Sequence, residues 1–145
     1  ITIDCTIVHM EMRMNLIADT SVIIAVITNE DHKSQLIEIS RGSDLIAPSS
    51  IHWEIGNAFS AMFKHNRISL DQATAALAEY NRIPIRFHDV SLSTALDLAY
   101  RFNIYAYDAY VIVCALKHNS PIVSLDNGLL DAARKAGAET VEVDI

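Results

Sequence analysis

The chain has 145 residues, of which 51% are hydrophobic, and it contains only four Gly and three Pro. This composition predicts one compact domain and excludes a disordered protein. Eighteen acidic and 11 basic residues give a net charge of −7, so Lys and Arg alone are a poor basis for binding a polyanion. The longest apolar runs, 22–27 and 109–116, are shorter than the roughly 18 residues that a membrane-spanning helix needs.

Residues 1–13 lack both a basic start and a sustained apolar stretch, so they do not resemble a secretory signal. We interpret them as an N-terminal extension of unassigned role and residues 14–145 as a single domain. Cys5 and Cys114 are far apart in the sequence, and the apolar neighbours of Cys114 predict a buried free thiol. This cysteine usage favours a cytoplasmic protein.

Short apolar strands and amphipathic helices alternate through the first half of the chain. The caps are assigned from hydroxyl-bearing residues that precede each apolar pattern. In chain order, the predicted elements are the strand 15–18, a helix capped by Thr20 or Ser21, the helix 33–40 ended by Gly42, the strand 44–47, a long helix capped by Ser49 or Ser50, and a helix opened by the capping box of Ser69 and Gln72.

The same alternation continues through the second half. There the predicted elements are the strand 84–87, the helix 92–102, the helix 106–117, the strand 121–125, a helix ended by Ala136 and Gly137, and the strand 140–143. Such alternation predicts an α/β fold, namely a three-layer α/β/α sandwich with a mostly parallel central sheet. In these sheets ligands bind beyond the carboxyl ends of the strands, where the strand order reverses.

Four acidic residues interrupt apolar segments. Asp19 and Asp126 each follow a predicted strand, whereas Glu54 and Asp108 lie on helices beside apolar neighbours. Each has an ordinary alternative explanation: Asp19 and Asp126 as helix caps, Asp108 as a first-turn acid favoured by the helix dipole, and Glu54 as an exposed side chain. The four together are better explained by one site at the carboxyl end of the sheet.

Carboxylates gathered in a partly desolvated place repel one another unless a cation balances them. We therefore predict that Asp19, Glu54, Asp108 and Asp126 bind Mg²⁺ or Mn²⁺. Two divalent ions would bring the net charge from −7 to −3 and make the site attractive to phosphate. Nearby polar side chains could orient a carboxylate or hold a metal-bound water; these are Thr20, Ser21, Asn57 and Ser124.

The order of these motifs resembles the PIN-domain ribonucleases, and in particular the VapC-type toxins of toxin–antitoxin pairs. The resemblance covers about residues 14–143 and rests on the following segments: Asp19-Thr20-Ser21 after a strand, Glu54 with Asn57 on a helix, Tyr107-Asp108-Ala109 opening a helix, and Ser124-Leu125-Asp126 after a strand. One departure is Asn127-Gly128, which stands where members often have a charged residue.

The resemblance implies a metal-dependent endoribonuclease that forms a homodimer and is inhibited by a cognate antitoxin. It also implies that the acidic quartet of the family falls on the four acids named above. A PIN-type RNA-processing nuclease without an antitoxin and a catalytically idle PIN module are the nearest alternatives. Receiver domains and haloacid-dehalogenase phosphatases also place acids at strand ends, but Ser21 stands where the phosphatases need a second Asp.

Overall fold

The computed structural model describes residues 14–143, so the predicted extension 1–13 lies outside the described residues. The described part folds into five strands and seven helices. The strands are β1 (Asn15–Ala18), β2 (Asp44–Pro48), β3 (Ile85–His88), β4 (Ile122–Val123) and β5 (Thr140–Val141). The helices are α1 (Thr20–Ile27), α2 (Lys33–Ser40), α3 (Ile51–Lys64), α4 (Leu70–Arg82), α5 (Leu92–Phe102), α6 (Ala106–His118) and α7 (Asn127–Lys135).

The five strands form one sheet in the order β3-β2-β1-β4-β5, and every neighbouring pair is parallel. The chain first builds outward from β1 through β2 to β3, then returns to place β4 and β5 on the other side of β1. Strand order therefore reverses between β1 and β4, which is where parallel α/β sheets form their binding crevice. The predicted three-layer α/β/α sandwich is confirmed.

The three central strands, β1, β2 and β4, are mostly buried on both faces, which explains their apolar runs, whereas the edge strand β3 exposes Arg86 and Phe87. Along β1, Leu16 and Ala18 pack into the core beneath α1 to α4, whereas Ile17 packs into the core formed with α5 to α7. Ile122 and Val123 divide between the same two cores. The strand ends are thereby held firmly between two helical layers. Within residues 14–143 no helix is long and apolar enough to cross a membrane.

The start of α1 differs from the sequence prediction. Neither Thr20 nor Ser21 is its N-cap; Asp19 is, and its side chain accepts a hydrogen bond from the backbone N–H of Val22. Three consecutive good capping residues made the assignment ambiguous from sequence. The capping box of Ser69 and Gln72 is confirmed by hydrogen bonds in both directions.

The last two strands are shorter than predicted. β4 contains only Ile122 and Val123, and β5 only Thr140 and Val141. Pairing along β4 stops at Val123, opposite Ala18, because β1 ends there and its chain turns into α1. Ser124 and Leu125 are thus released from the sheet at the point where the strand order reverses.

Candidate active site

Asp19 lies at the carboxyl end of the central strand β1 and is 6% exposed. Both of its carboxylate oxygens accept hydrogen bonds. The Ser21 hydroxyl donates to Oδ1 at 2.7 Å, and the Ser124 hydroxyl donates to Oδ2 at 2.7 Å. Burial raises the pKa of Asp19, and these hydrogen bonds with that of the Val22 N–H oppose the rise. The carboxylate is thereby fixed in position.

Ser21 and Ser124 tie the first strand to the segment that follows β4. The Ser21 hydroxyl accepts a hydrogen bond from the Leu125 N–H at 2.9 Å, and the Ser124 hydroxyl accepts one from the Asp126 N–H at 2.9 Å. Ser124 is buried, so its hydroxyl both donates and accepts within the protein. The structure brings the predicted supporting residues Ser21 and Ser124 directly against Asp19.

Glu54 lies in the first turn of α3 and is half-buried. Burial, followed by the negative charges of Asp19 and Asp108, raises its pKa to about 7. The Thr20 hydroxyl lies near enough to oppose this rise, yet neither it nor Glu54 Oε2 makes a hydrogen bond of good geometry within the described residues. Two buried oxygen atoms on facing elements are therefore left without a partner, although buried polar atoms normally have one.

Asp108 and Asp126 complete the group from the other side. Asp108 is half-buried in the first turn of α6, and burial together with the charge of Asp126 raises its pKa. Asp126 is exposed and caps α7, where its Oδ1 accepts from the N–H groups of Gly128 and Leu129. Its predicted alternative role as a helix cap is thus present, together with its electrostatic coupling to the other acids.

The four acids repel one another through space. Glu54 feels the charges of Asp19 and Asp108, and the charge of Asp126 acts on both Asp19 and Asp108. Four separate elements of the fold therefore bring the predicted quartet into one electrostatic field. Such a field disfavours full ionisation and attracts a cation.

The donor atoms fit a hard divalent cation. Carboxylate and hydroxyl oxygens are the ligands that Mg²⁺ and Mn²⁺ prefer, and the unpartnered Glu54 Oε2 and Thr20 Oγ1 are available to a metal or its water. Within residues 14–143 no three His, Cys, Asp or Glu side chains are arranged to hold a metal ion directly. Mg²⁺ commonly binds only one or two carboxylates and keeps several waters. An open arrangement of carboxylates therefore suits Mg²⁺ better than it suits Zn²⁺, which prefers a closed set of protein ligands.

Asn57 differs from the other predicted supporting residues. It is exposed on α3, one turn beyond Glu54, and its backbone carbonyl accepts a hydrogen bond from the Ser60 hydroxyl. A separate cleft of about 260 Å³ lies beyond the ends of β2 and β3, lined among others by Ser50, Asp89 and Tyr110, and none of the four acids lines it. Sequence patterns gave no sign of this cleft, because its walls come from three segments that are separate in the chain, namely 48–50, 88–92 and Tyr110.

Comparisons with known proteins agree with this geometry. A family model for the PIN domain matches residues 16–135. No curated protein sequence matches the chain at a significant level. Among solved structures, PAE2754 from Pyrobaculum aerophilum superposes with a TM-score of 0.68 at 22% identity, covering 88% of this chain and 83% of that one.

Two further solved structures have the same fold. VapBC2 from Rickettsia felis, bound to a DNA fragment from their promoter, gives a TM-score of 0.63 at 13% identity and covers 88% of this chain and 98% of that one. FitAcB from Neisseria gonorrhoeae gives 0.60 at 12% identity, with 88% and 96% covered. The fold and the family match together show that this chain belongs to the PIN-domain family. The family assignment replaces the receiver and phosphatase alternatives.

Proposed function

We propose that this protein is a metal-dependent endoribonuclease that hydrolyses RNA phosphodiester bonds. The observation that carries the proposal is the mutual repulsion of Asp19, Glu54, Asp108 and Asp126 at the strand-order reversal of a PIN-family sheet. An acidic protein needs a cation before it can accept a phosphodiester there, because phosphate and carboxylate otherwise repel each other.

The four acids would hold Mg²⁺ or Mn²⁺, some of them through the waters of the ion, and the bound ion would stabilise negative charge on the phosphate and make a water more acidic. Ser21 and Ser124 have a positioning role, since each hydroxyl fixes one oxygen of Asp19. Thr20 and Asn57 would contact water or substrate. Water adds to phosphorus and the bond to the 3′-oxygen breaks, leaving a 5′-phosphate and a 3′-hydroxyl.

The test compares wild type with Asp108→Asn on structured RNAs in Mg²⁺, Mn²⁺ and EDTA. Asp71→Asn is a matched control, because Asp71 is also an acid in the first turn of a helix but is exposed on α4. We expect wild type and the control to cleave with metal only, and Asp108→Asn to lose at least about 100-fold in rate. Equal cleavage by all three proteins would point to a contaminant, and a 2′,3′-cyclic phosphate product would contradict hydrolysis by water.

We further propose that the protein is the toxin of a toxin–antitoxin pair and acts in the cytoplasm. The motif resemblance to VapC-type toxins and the structural likeness to VapBC2 support this assignment. Expression of wild type should arrest growth, and Asp108→Asn should not. RNA cleavage in vitro without any growth arrest would favour the alternative of an RNA-processing PIN nuclease that has no antitoxin.

A homodimer is also part of the proposal. Three apolar side chains recur at four-residue spacing along α5 and are strongly exposed: Leu92 is 58%, Leu96 51% and Tyr100 89% exposed. A soluble monomer rarely leaves such a stripe open to water. We expect light scattering to report a dimer for wild type and a monomer for Leu96→Glu. Dissociation by Leu77→Glu on α4 instead would place the interface elsewhere.

A further inference from the structure

An apolar groove of about 590 Å³ lies between α1, α2 and α4, over the first strands of the sheet. Its walls are mainly aliphatic side chains, among them Leu16, Ile23, Val26, Leu36, Ile37 and Leu45. The volume falls within the range of roughly 300–1,000 Å³ that is usual for binding sites. None of the four acids lines the groove, so it is separate from the candidate active site.

The chain enters the described fold at the rim of this groove. The backbone carbonyl of Met14, the first described residue, accepts a hydrogen bond from the N–H of Asp44 at 3.0 Å, and Asp44 lines the groove. Residues 1–13 lie outside the described residues, and they are therefore attached to the fold at this point. An extended segment of six residues spans about 20 Å, so residues 8–13 are long enough to reach the walls of the groove.

The sequence before β1 continues the alternation of β1 itself. Every second residue from 8 to 18 is apolar; these residues are Val8, Met10, Met12, Met14, Leu16 and Ala18. Leu16 and Ala18 line the groove. Because side chains two apart in an extended chain point the same way, an extended segment would present its apolar residues on the side of the sheet where the groove lies. The unbranched, flexible side chain of Met suits an irregular apolar space.

We propose that residues 8–13 of this chain pack into the groove and that Met10 and Met12 fill it. A segment joined to the rim by a short tether is present at an effective concentration in the millimolar range, so weak apolar contacts suffice to hold it there. A second copy of the chain and a separate protein have no such advantage. The predicted extension is then a working part of the domain, and any partner that uses the groove must displace it first. This inference goes beyond the nuclease function and does not depend on it.

The experiment uses the full chain and asks whether residues 8–13 are protected. Trypsin cuts after Arg13, and the cut is followed by intact mass. The test variant is Met10→Ser with Met12→Ser, and the matched control is His9→Ser with Glu11→Ser, at the alternate positions of the same segment. Each rate is divided by that of a peptide with the same sequence, which removes the effect of the substitutions on trypsin itself.

We expect the Met variant to be cut after Arg13 at least about tenfold faster than wild type, because cleavage follows the population of the released state. The control variant should be cut as slowly as wild type. The apolar dye anilinonaphthalene sulfonate, which binds exposed hydrophobic surface, should fluoresce with the Met variant and not with wild type or the control.

A substitution in the groove wall tests the same contact from the other side. Ile37 lines the groove and is 42% exposed, so Ile37→Glu places a charge in the groove without burying it deeply. Leu77→Glu is the control, because Leu77 is 41% exposed on α4 and does not line the groove. Ile37→Glu should speed cleavage after Arg13, and Leu77→Glu should not. Urea unfolding of all variants checks that each one is folded.

Three results would overturn the proposal. Equal cleavage rates for wild type, the Met variant and the control would show that the segment is not held in the groove. Protection that increases with protein concentration would place the segment in the groove of a second copy. Dye fluorescence as strong with wild type as with the Met variant would show an open groove that is left for a separate protein. RNA cleavage by wild type and its loss in Asp108→Asn are independent of all three.

Discussion

In the metal-free protein, the stability of Glu54→Gln relative to wild type should increase as the pH rises. The pKa of Glu54 is raised from its ordinary 4.5 to about 7 in the folded protein, chiefly by burial. A carboxyl group whose pKa is raised on folding contributes its full stabilisation at pH values below the pKa that it has in the unfolded chain. That stabilisation is lost as the pH rises toward the folded pKa, because the unfolded state gives up its proton first.

The magnitude follows from the size of that difference. One pKa unit corresponds to about 1.36 kcal/mol, so a pKa of about 7 against 4.5 sets an upper limit of about 3.4 kcal/mol. Because Glu54 is only half-buried, solvent screening reduces this to about 1–2 kcal/mol. Between pH 4.5 and pH 8 wild type should lose this amount relative to Glu54→Gln, which cannot titrate.

Urea unfolding in EDTA at several pH values from 4.5 to 8 measures this difference. Glu38→Gln is the control, since Glu38 is exposed in an ion pair with Arg41. A free-energy difference between wild type and Glu54→Gln that stays constant over the whole range would refute the raised pKa. A variant that becomes relatively less stable as the pH rises would refute the sign of the reasoning.

Three further outcomes are expected. Ser124→Ala should lower the free energy of unfolding by about 1.5–3 kcal/mol, because a buried hydroxyl bonded to a carboxylate is lost; Ser60→Ala, at an exposed site, should not. Mg²⁺ at 100 times its Kd should stabilise wild type at pH 8 by about 2.7 kcal/mol in thermal unfolding, and Asp108→Asn should lose this gain. Cys114 has a buried thiol whose pKa is raised to about 11. In a Cys5→Ser background it should react with a thiol reagent at pH 8 only after unfolding. Rapid reaction of the native protein would contradict the burial of Cys114.

Strong local signals allowed the fold to be predicted from the sequence. The bounds of β1, α2 and α5 agree with the prediction, and within α5 Asp97 and Arg101 form an i,i+4 ion pair at 3.1 Å. The parallel direction of the strands followed from the alternation of strands and helices, and this alternation can be read from local sequence patterns alone. Errors fell at the start of α1, where three good capping residues are consecutive, and at the ends of β4 and β5, where the length of a strand depends on the strand beside it.

The candidate site was predictable only as a list of residues. Acids at strand ends and beside apolar helix faces could be found from spacing, and sheet topology explains why they share one field. The hydrogen bond from Ser124 to Asp19 could not be found, because it joins residues 105 positions apart.

The bond between Ser124 and Asp19 also has a consequence during synthesis of the chain. Asp19 and Glu54 leave the ribosome long before β4, yet Asp19 is not held at both oxygens until Ser124 arrives. Asp126, the last of the four acids in the chain, follows two residues later. A chain that stops before residue 122 lacks the strand that closes the crevice. An incomplete translation product of this kind carries three of the four acids, without Asp126 and without the Ser124 hydrogen bond to Asp19, so the proposed nuclease activity requires the chain to extend at least through residue 126.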